Sequence, residues 1–128
     1  MRKIALTAAL ATATLSTAAM AADWVLAAEN ESGDQYYVDR ESIRTMPSGY
    51  KRAWVRSYWS ESSQTGATGY RSFEEFDCRE GRSRRLQTTM LEGNDPVRID
   101  NEMTSWRYEA PDTASEGVLN YVCFGKLD

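Results

Sequence analysis

From residue 23 onward, short runs of alternating apolar and polar residues separated by turn residues predict strands for most of the chain. Asp23 to Glu29 reads as a first strand with Trp24, Leu26 and Ala28 on one face. Asn30 to Asp34, around Gly33, is a hairpin-type loop, and Gln35 to Asp39 a short second strand. Asp39 stands where an N-cap belongs, so one helical turn is expected next, with Ile43 facing the core. After the turn Met46-Pro47-Ser48-Gly49, the run Tyr50 to Trp59 is the longest β-rich stretch. Ala53, Val55, Ser57 and Trp59 share one of its faces; Trp54, Arg56 and Tyr58 share the other. One face is expected to pack on a helix. The other is either a partly exposed aromatic surface for a partner or simply the cover of a small sheet. Ser60 to Gly69 is polar and lacks periodicity, and is expected to be the most mobile loop.

Tyr70 to Leu86 is the organising stretch: a strand, a tight turn near Glu80-Gly81, and a second strand from about Arg82 to Met90. Gly93-Asn94-Asp95-Pro96 predicts a turn, and Val97 to Ile99 and Thr104 to Glu109 short extended elements, the second stopped by Pro111. The last element is a helix. Thr113-x-x-Glu116 is a capping box, Asp112 adds favourable charge, and Val118, Leu119, Val122 and Cys123 form an apolar stripe that Gly125 ends. Strands followed by one helix give an α+β fold in a single small domain, an antiparallel sheet with the C-terminal helix packed on it.

The first 21 residues have a different character. Arg2 and Lys3 precede the apolar and small-residue run Ile4 to about Thr17, and Ala19-Met20-Ala21 fits a signal-peptidase site. Cleavage between Ala21 and Ala22 is expected, leaving a domain over 22–128. The run is too short and too rich in Ala and Thr for a spanning helix, and no Cys near the cleavage site offers a lipid attachment point. Export to an oxidising compartment changes the reading of the two cysteines. Cys78 and Cys123 permit one intramolecular pairing, and a bridge would tie the central hairpin to the helix; two free thiols or a redox pair is the alternative, disfavoured by the absence of C-x-x-C.

The formal charge is −4, and without Arg2 and Lys3 it is about −6, with 13 basic and 19 acidic side chains. That excludes a nucleic-acid partner, which needs a basic footprint. The chain has no His. The commonest general base and metal ligand is therefore missing, and no catalytic residue, metal site or cofactor is expected. Arg79, Arg82, Arg84 and Arg85 make a basic cluster. It is either an anion site or a set of cross-strand partners for Glu74, Glu75, Asp77 and Glu80. With Trp54 and Tyr58 these arginines form the candidate binding surface.

An ordered set of short motifs is also present. It runs Trp24-Val25, then Tyr37, Asp39, Ser42 and Ile43, then Trp54-Val55. Phe76-Asp77-Cys78 follows, with Arg82 and Leu86, then Trp106, Pro111 and Cys123. Together they resemble the surface-adhesin protein E family of Gram-negative bacteria, over about residues 23 to 124. The resemblance implies a sheet of about six strands with a C-terminal helix, and pairing into homodimers. It implies Trp24, Ile43, Trp54 and Phe76 as core, Asp39 as a cap and Cys78 with Cys123 as a staple. It also implies a non-enzymatic envelope protein binding host matrix or serum proteins. The absence of a lipid-attachment Cys makes the periplasm the expected location, with the surface or secretion as alternatives. Two other functions fit the composition: a periplasmic inhibitor of a basic enzyme such as lysozyme, and a structural envelope component.

Overall fold

The structure, a computed structural model, describes residues 8–13 and 21–127. Most of the expected signal peptide lies outside the described residues. Of the expected cleavage site, Ala21 and Ala22 are described: both are exposed and belong to no strand or helix, standing just ahead of the first strand. Among the described residues the first strand begins at Trp24.

The described residues form eight strands: β1 (Trp24–Glu29), β2 (Gln35–Asp39), β3 (Arg44–Thr45), β4 (Lys51–Tyr58), β5 (Gly69–Asp77), β6 (Arg82–Glu92), β7 (Asp95–Asp100) and β8 (Arg107–Tyr108). Among them one helix, α1 (Ala114–Phe124), follows the last strand. The main sheet is antiparallel in the order β1-β2-β4-β5-β6-β7, with β3 paired to β4 and β8 to β6. The α+β architecture and its six-stranded main sheet are thus as the sequence implies.

Local chemistry sets the ends of the elements. The Asp39 carboxylate accepts from Glu41 N–H and Asp23 N–H, capping the single 3-10 turn Arg40–Ser42 and holding the start of β1. The Thr113 hydroxyl accepts from Glu116 N–H at 3.3 Å, while Gly125, in the left-handed region, stops α1. Lys51 donates to the Cys123 carbonyl at the other helix end, anchoring it to β4. The helix stripe Val118, Leu119, Val122 and Cys123, joined by Tyr121, packs on Ala27, Val38, Ala53, Val55 and Phe76. Cys78 and Cys123 are bridged, with Cα atoms 5.6 Å apart. The bridge ties the end of β5 to the last turn of the helix, and no free cysteine remains.

Two expectations need correction. In β1 the core side is Val25 and Ala27, not Trp24 and Leu26, which are 38% and 41% exposed. A bulge between Leu26 and Ala28 breaks the alternation, so Ala28 also packs against the core. Trp54, like Trp24, lies on the sheet face away from the helix and does not belong to the core, whereas Phe76 is buried and Ile43 packs against it. The segment between β4 and β5 is closed by backbone bonds: Trp59 to Thr68, Ser63 to Ala67 and Thr68 to Leu91. Its Ala67 is buried.

Candidate binding face

The helix packs on one face of the sheet; the other carries exposed side chains, among them Leu26, Tyr58, Arg71 and Ile99, beside buried ones, among them Arg56, Glu75 and Thr89. Strand alternation and register decide what that outer face carries. Leu26, Tyr37, Arg56, Arg71, Thr89 and Ile99 lie opposite one another in turn and form one row across five neighbouring pairs of strands. The adjoining row contains Trp54 opposite Phe73, with ring centroids 5.1 Å apart. The next contains Arg52, Glu75 and Arg84.

Charge on this face is held in different ways. Glu75 is 2% exposed and bound by Arg52 Nε at 2.7 Å and Arg84 Nη2 at 2.6 Å. Burial alone would raise the Glu75 pKa; the two guanidiniums reverse this and hold it below the ordinary glutamate value. Arg82 is paired to Asp77 at 2.9 Å. The guanidiniums of Arg82 and Arg84 both sit over the Trp106 ring, at 4.7 and 4.2 Å, and Trp106 in turn meets Tyr50 edge-on.

Arg56 is different. It is 5% exposed and donates only to carbonyls: those of Ser57, Tyr70 and Gly93. Its guanidinium rests 4.0 Å from the Tyr58 ring, which meets Tyr37 edge-on. Burial, with some help from Arg71, pulls its pKa below the ordinary arginine value. The side chain reaches from β4 to the β6–β7 turn, a path open because Gly69 has no side chain to block it.

The residues singled out in the sequence therefore divide. Arg82, Arg84, Trp54 and Tyr58 share the outer face. Arg79 is exposed in the β5–β6 turn. Arg85 points to the opposite face, 4.3 Å above the Tyr70 ring. There it lines a small cavity of about 20 Å³ with Glu74, Ser83, Arg107 and Glu109, beside the helix. Glu74 is fully enclosed. Its burial raises its pKa, against the opposing pull of Arg85 and of the Ser72 hydroxyl that donates to it. Folding therefore disfavours the ionised form, and the unfolded chain gains on the folded one as pH rises above about 4.5, the ordinary glutamate value. Glu74→Gln is expected to raise stability at neutral pH, with the gain fading as pH falls from the raised folded value toward the ordinary one and absent below it; urea unfolding at pH 7 and pH 4 checks it.

Sequence reasoning placed Arg56 on this face with Trp54 and Tyr58 but missed Arg71, Tyr37 and Phe73 as parts of the surface. Their parity along each strand was readable, but their juxtaposition needs the register between strands.

A second concavity, an open groove of about 940 Å³, runs between β1 and the start of α1. Glu29, Glu31, Asp112 and Glu116 line it, with no basic residue. Among the described residues no cluster of His, Cys, Asp or Glu could hold a metal ion, and no helix is long and apolar enough to cross a membrane.

The comparisons with known proteins bear on this fold and face. The sequence model described as surface-adhesin protein E matches residues 24–124. The chain belongs to the surface-adhesin protein E family. Among solved structures it is similar to crystal form II of Haemophilus influenzae protein E, with a TM-score of 0.62 at 13% identity. The match covers 86% of this chain and 95% of that one. At that identity the likeness establishes the shared fold. No curated protein matches the sequence. The adhesin E match begins at Trp24 and ends at Phe124, so it spans the sheet, the bridge and the helix together.

Proposed function

We propose that the chain is an exported, non-enzymatic envelope protein that binds another protein through the outer face of its sheet. On this reading residues 1–21 direct export, and cleavage between Ala21 and Ala22 releases the 22–128 domain, which works in the periplasm or at the cell surface. The exposure of Ala21 and Ala22, outside the sheet, supports that cleavage point. A mature protein whose first residue is Ala22, read by N-terminal sequencing, is the expected result. The observation that carries the functional reading is the outer face itself. Trp24, Leu26 and Tyr58 stand exposed on it beside stacked rings and arginines, the residue types enriched at protein interfaces. Family membership supports adhesion to host matrix or serum proteins as the task.

Location and binding test this together. Intact cells are treated with a protease that cannot cross the outer membrane, alongside a periplasmic control, and purified protein is presented to host matrix and serum proteins. Host adhesion requires cleavage in intact cells and binding that Tyr58→Ala weakens. Survival in intact cells with release by osmotic shock would overturn host adhesion and direct the search to periplasmic partners. Binding undisturbed by outer-face substitutions would overturn the choice of face.

The acidic groove favours one other reading, capture of a basic periplasmic enzyme. Inhibition of lysozyme by nanomolar protein, abolished by Glu29→Lys, would establish it; its absence removes that reading.

A further inference from the structure

We infer that the outer face takes an acidic, extended polypeptide segment, whose carboxylates dock at Arg71 while its other side chains lie on the flanking rings. The inference rests on the reading that this face is the binding face.

Arg71 is exposed, and among the described residues it has no ion-pair partner. Its neighbour across the β4–β5 pair is Arg56, and across the β5–β6 pair it is Thr89. Two arginines thus oppose each other in register on adjacent strands, and neither has a carboxylate partner; like charges so placed destabilise a sheet unless a counter-charge is supplied. Arg56 is satisfied by carbonyls and remains a buried, uncompensated charge. The other outer-face arginines differ: Arg52 and Arg84 share Glu75, and Arg82 has Asp77. Arg44, opposite Arg52 on β3, also lacks an ion pair but turns to the Glu41 and Ile43 carbonyls; on β4, β5 and β6 the arginines of this face without a carboxylate are Arg56 and Arg71, in a chain whose overall charge is −4. The missing anion comes from a partner.

The surroundings select the kind of partner. Tyr37 and Tyr58 stand beside Arg56, and Trp54 and Phe73 fill the adjoining row. A guanidinium fork between aromatic rows suits a carboxylate with apolar neighbours along an extended chain. A polyanionic glycan or nucleic acid would instead draw on a track of several free cations, and here Arg52, Arg82 and Arg84 are held by carboxylates of the same face.

A fluorescein-labelled decapeptide of alternating Glu and Tyr, with a counterpart carrying Gln for Glu, tests this by fluorescence anisotropy on the full exported domain. The Glu peptide is expected to bind and the Gln peptide to bind about tenfold more weakly or worse; Arg71→Glu should cost the Glu peptide about tenfold or more, by placing like charge at the dock. Salt should weaken the Glu peptide selectively. Arg71→Glu should melt no lower than the parent, since Arg71 makes no ion pair to lose and the new carboxylate stands opposite Arg56. Equal binding of the two peptides, or no effect of Arg71→Glu, overturns the inference. So does tight binding of a sulfated polysaccharide where the acidic peptide fails. If a protein partner is still captured through the outer face by the Arg71→Glu variant, the binding-face reading stands and only the acidic-segment inference falls.

Discussion

Replacing Cys78 by Ser will lower the stability of the domain by about 4 kcal/mol, the chain-entropy value for a cross-link with the sequence separation of 45 found here. The loop that the bridge closes contains β6, β7 and β8, and opening it releases the last turn of α1 from the end of β5. The helix would then be held by the apolar contacts of Val118, Leu119, Tyr121 and Val122 with the sheet and by the Lys51 bond to its last turn. A core of this size leaves little reserve. Cys123→Ser should cost the same, and the double variant no more than either single one, because each removes the same bond. Urea unfolding with and without reductant checks it. Equal midpoints for reduced and oxidised protein would deprive the bridge of structural weight.

Gly69→Ala is expected to cost at least about 3 kcal/mol, beyond the usual range for a surface change. A Cβ at Gly69 would lie 2.1 Å from the Ser57 carbonyl oxygen and 2.8 Å from Arg56 Nη1. The oxygen belongs to the paired backbone of β4 and cannot move without separating β4 from β5. Displacing Arg56 would also strand the carbonyls it satisfies. Gly81→Ala is the matched control. Gly81 has φ +68 but nothing within 4 Å of an added Cβ, so its cost is backbone strain alone, about 1–2 kcal/mol. Thermal unfolding of the two variants should separate them clearly; similar losses would show that the close approach at Gly69 relaxes cheaply.

Most of the fold was legible in the sequence for local reasons. Period-two patterning marked β2, β4, β5 and β6, the capping box and Gly125 bounded α1, and two cysteines left one intramolecular pairing. Ala28 was grouped with Trp24 and Leu26 because no residue in Trp24–Glu29 signals the bulge beyond Leu26 that changes the phase. Trp54 and Trp24 were assigned to the core on the family resemblance. The small side chains Ala53 and Ala27 occupy the helix side instead, where close helix–sheet packing favours them. The candidate surface was half legible. Alternation alone separates Arg84 from Arg85, so the arginines of β6 could not form one patch. The Arg56–Arg71 pair lay beyond local reasoning. It depends on the register of β4 against β5, and residues 59–68 connect those strands without declaring it.

The claim that organises this account is that partners meet the face opposite the helix. Site-specific photo-crosslinking tests it most directly, with a photoreactive phenylalanine at Tyr58 on the outer face or at Ser32 in the acidic groove, in living cells or against purified candidates. Adducts from position 58 and none from position 32, lost on Arg71→Glu, are the expected result. Adducts from position 32 alone would contradict the account and make the groove beside α1 the working surface.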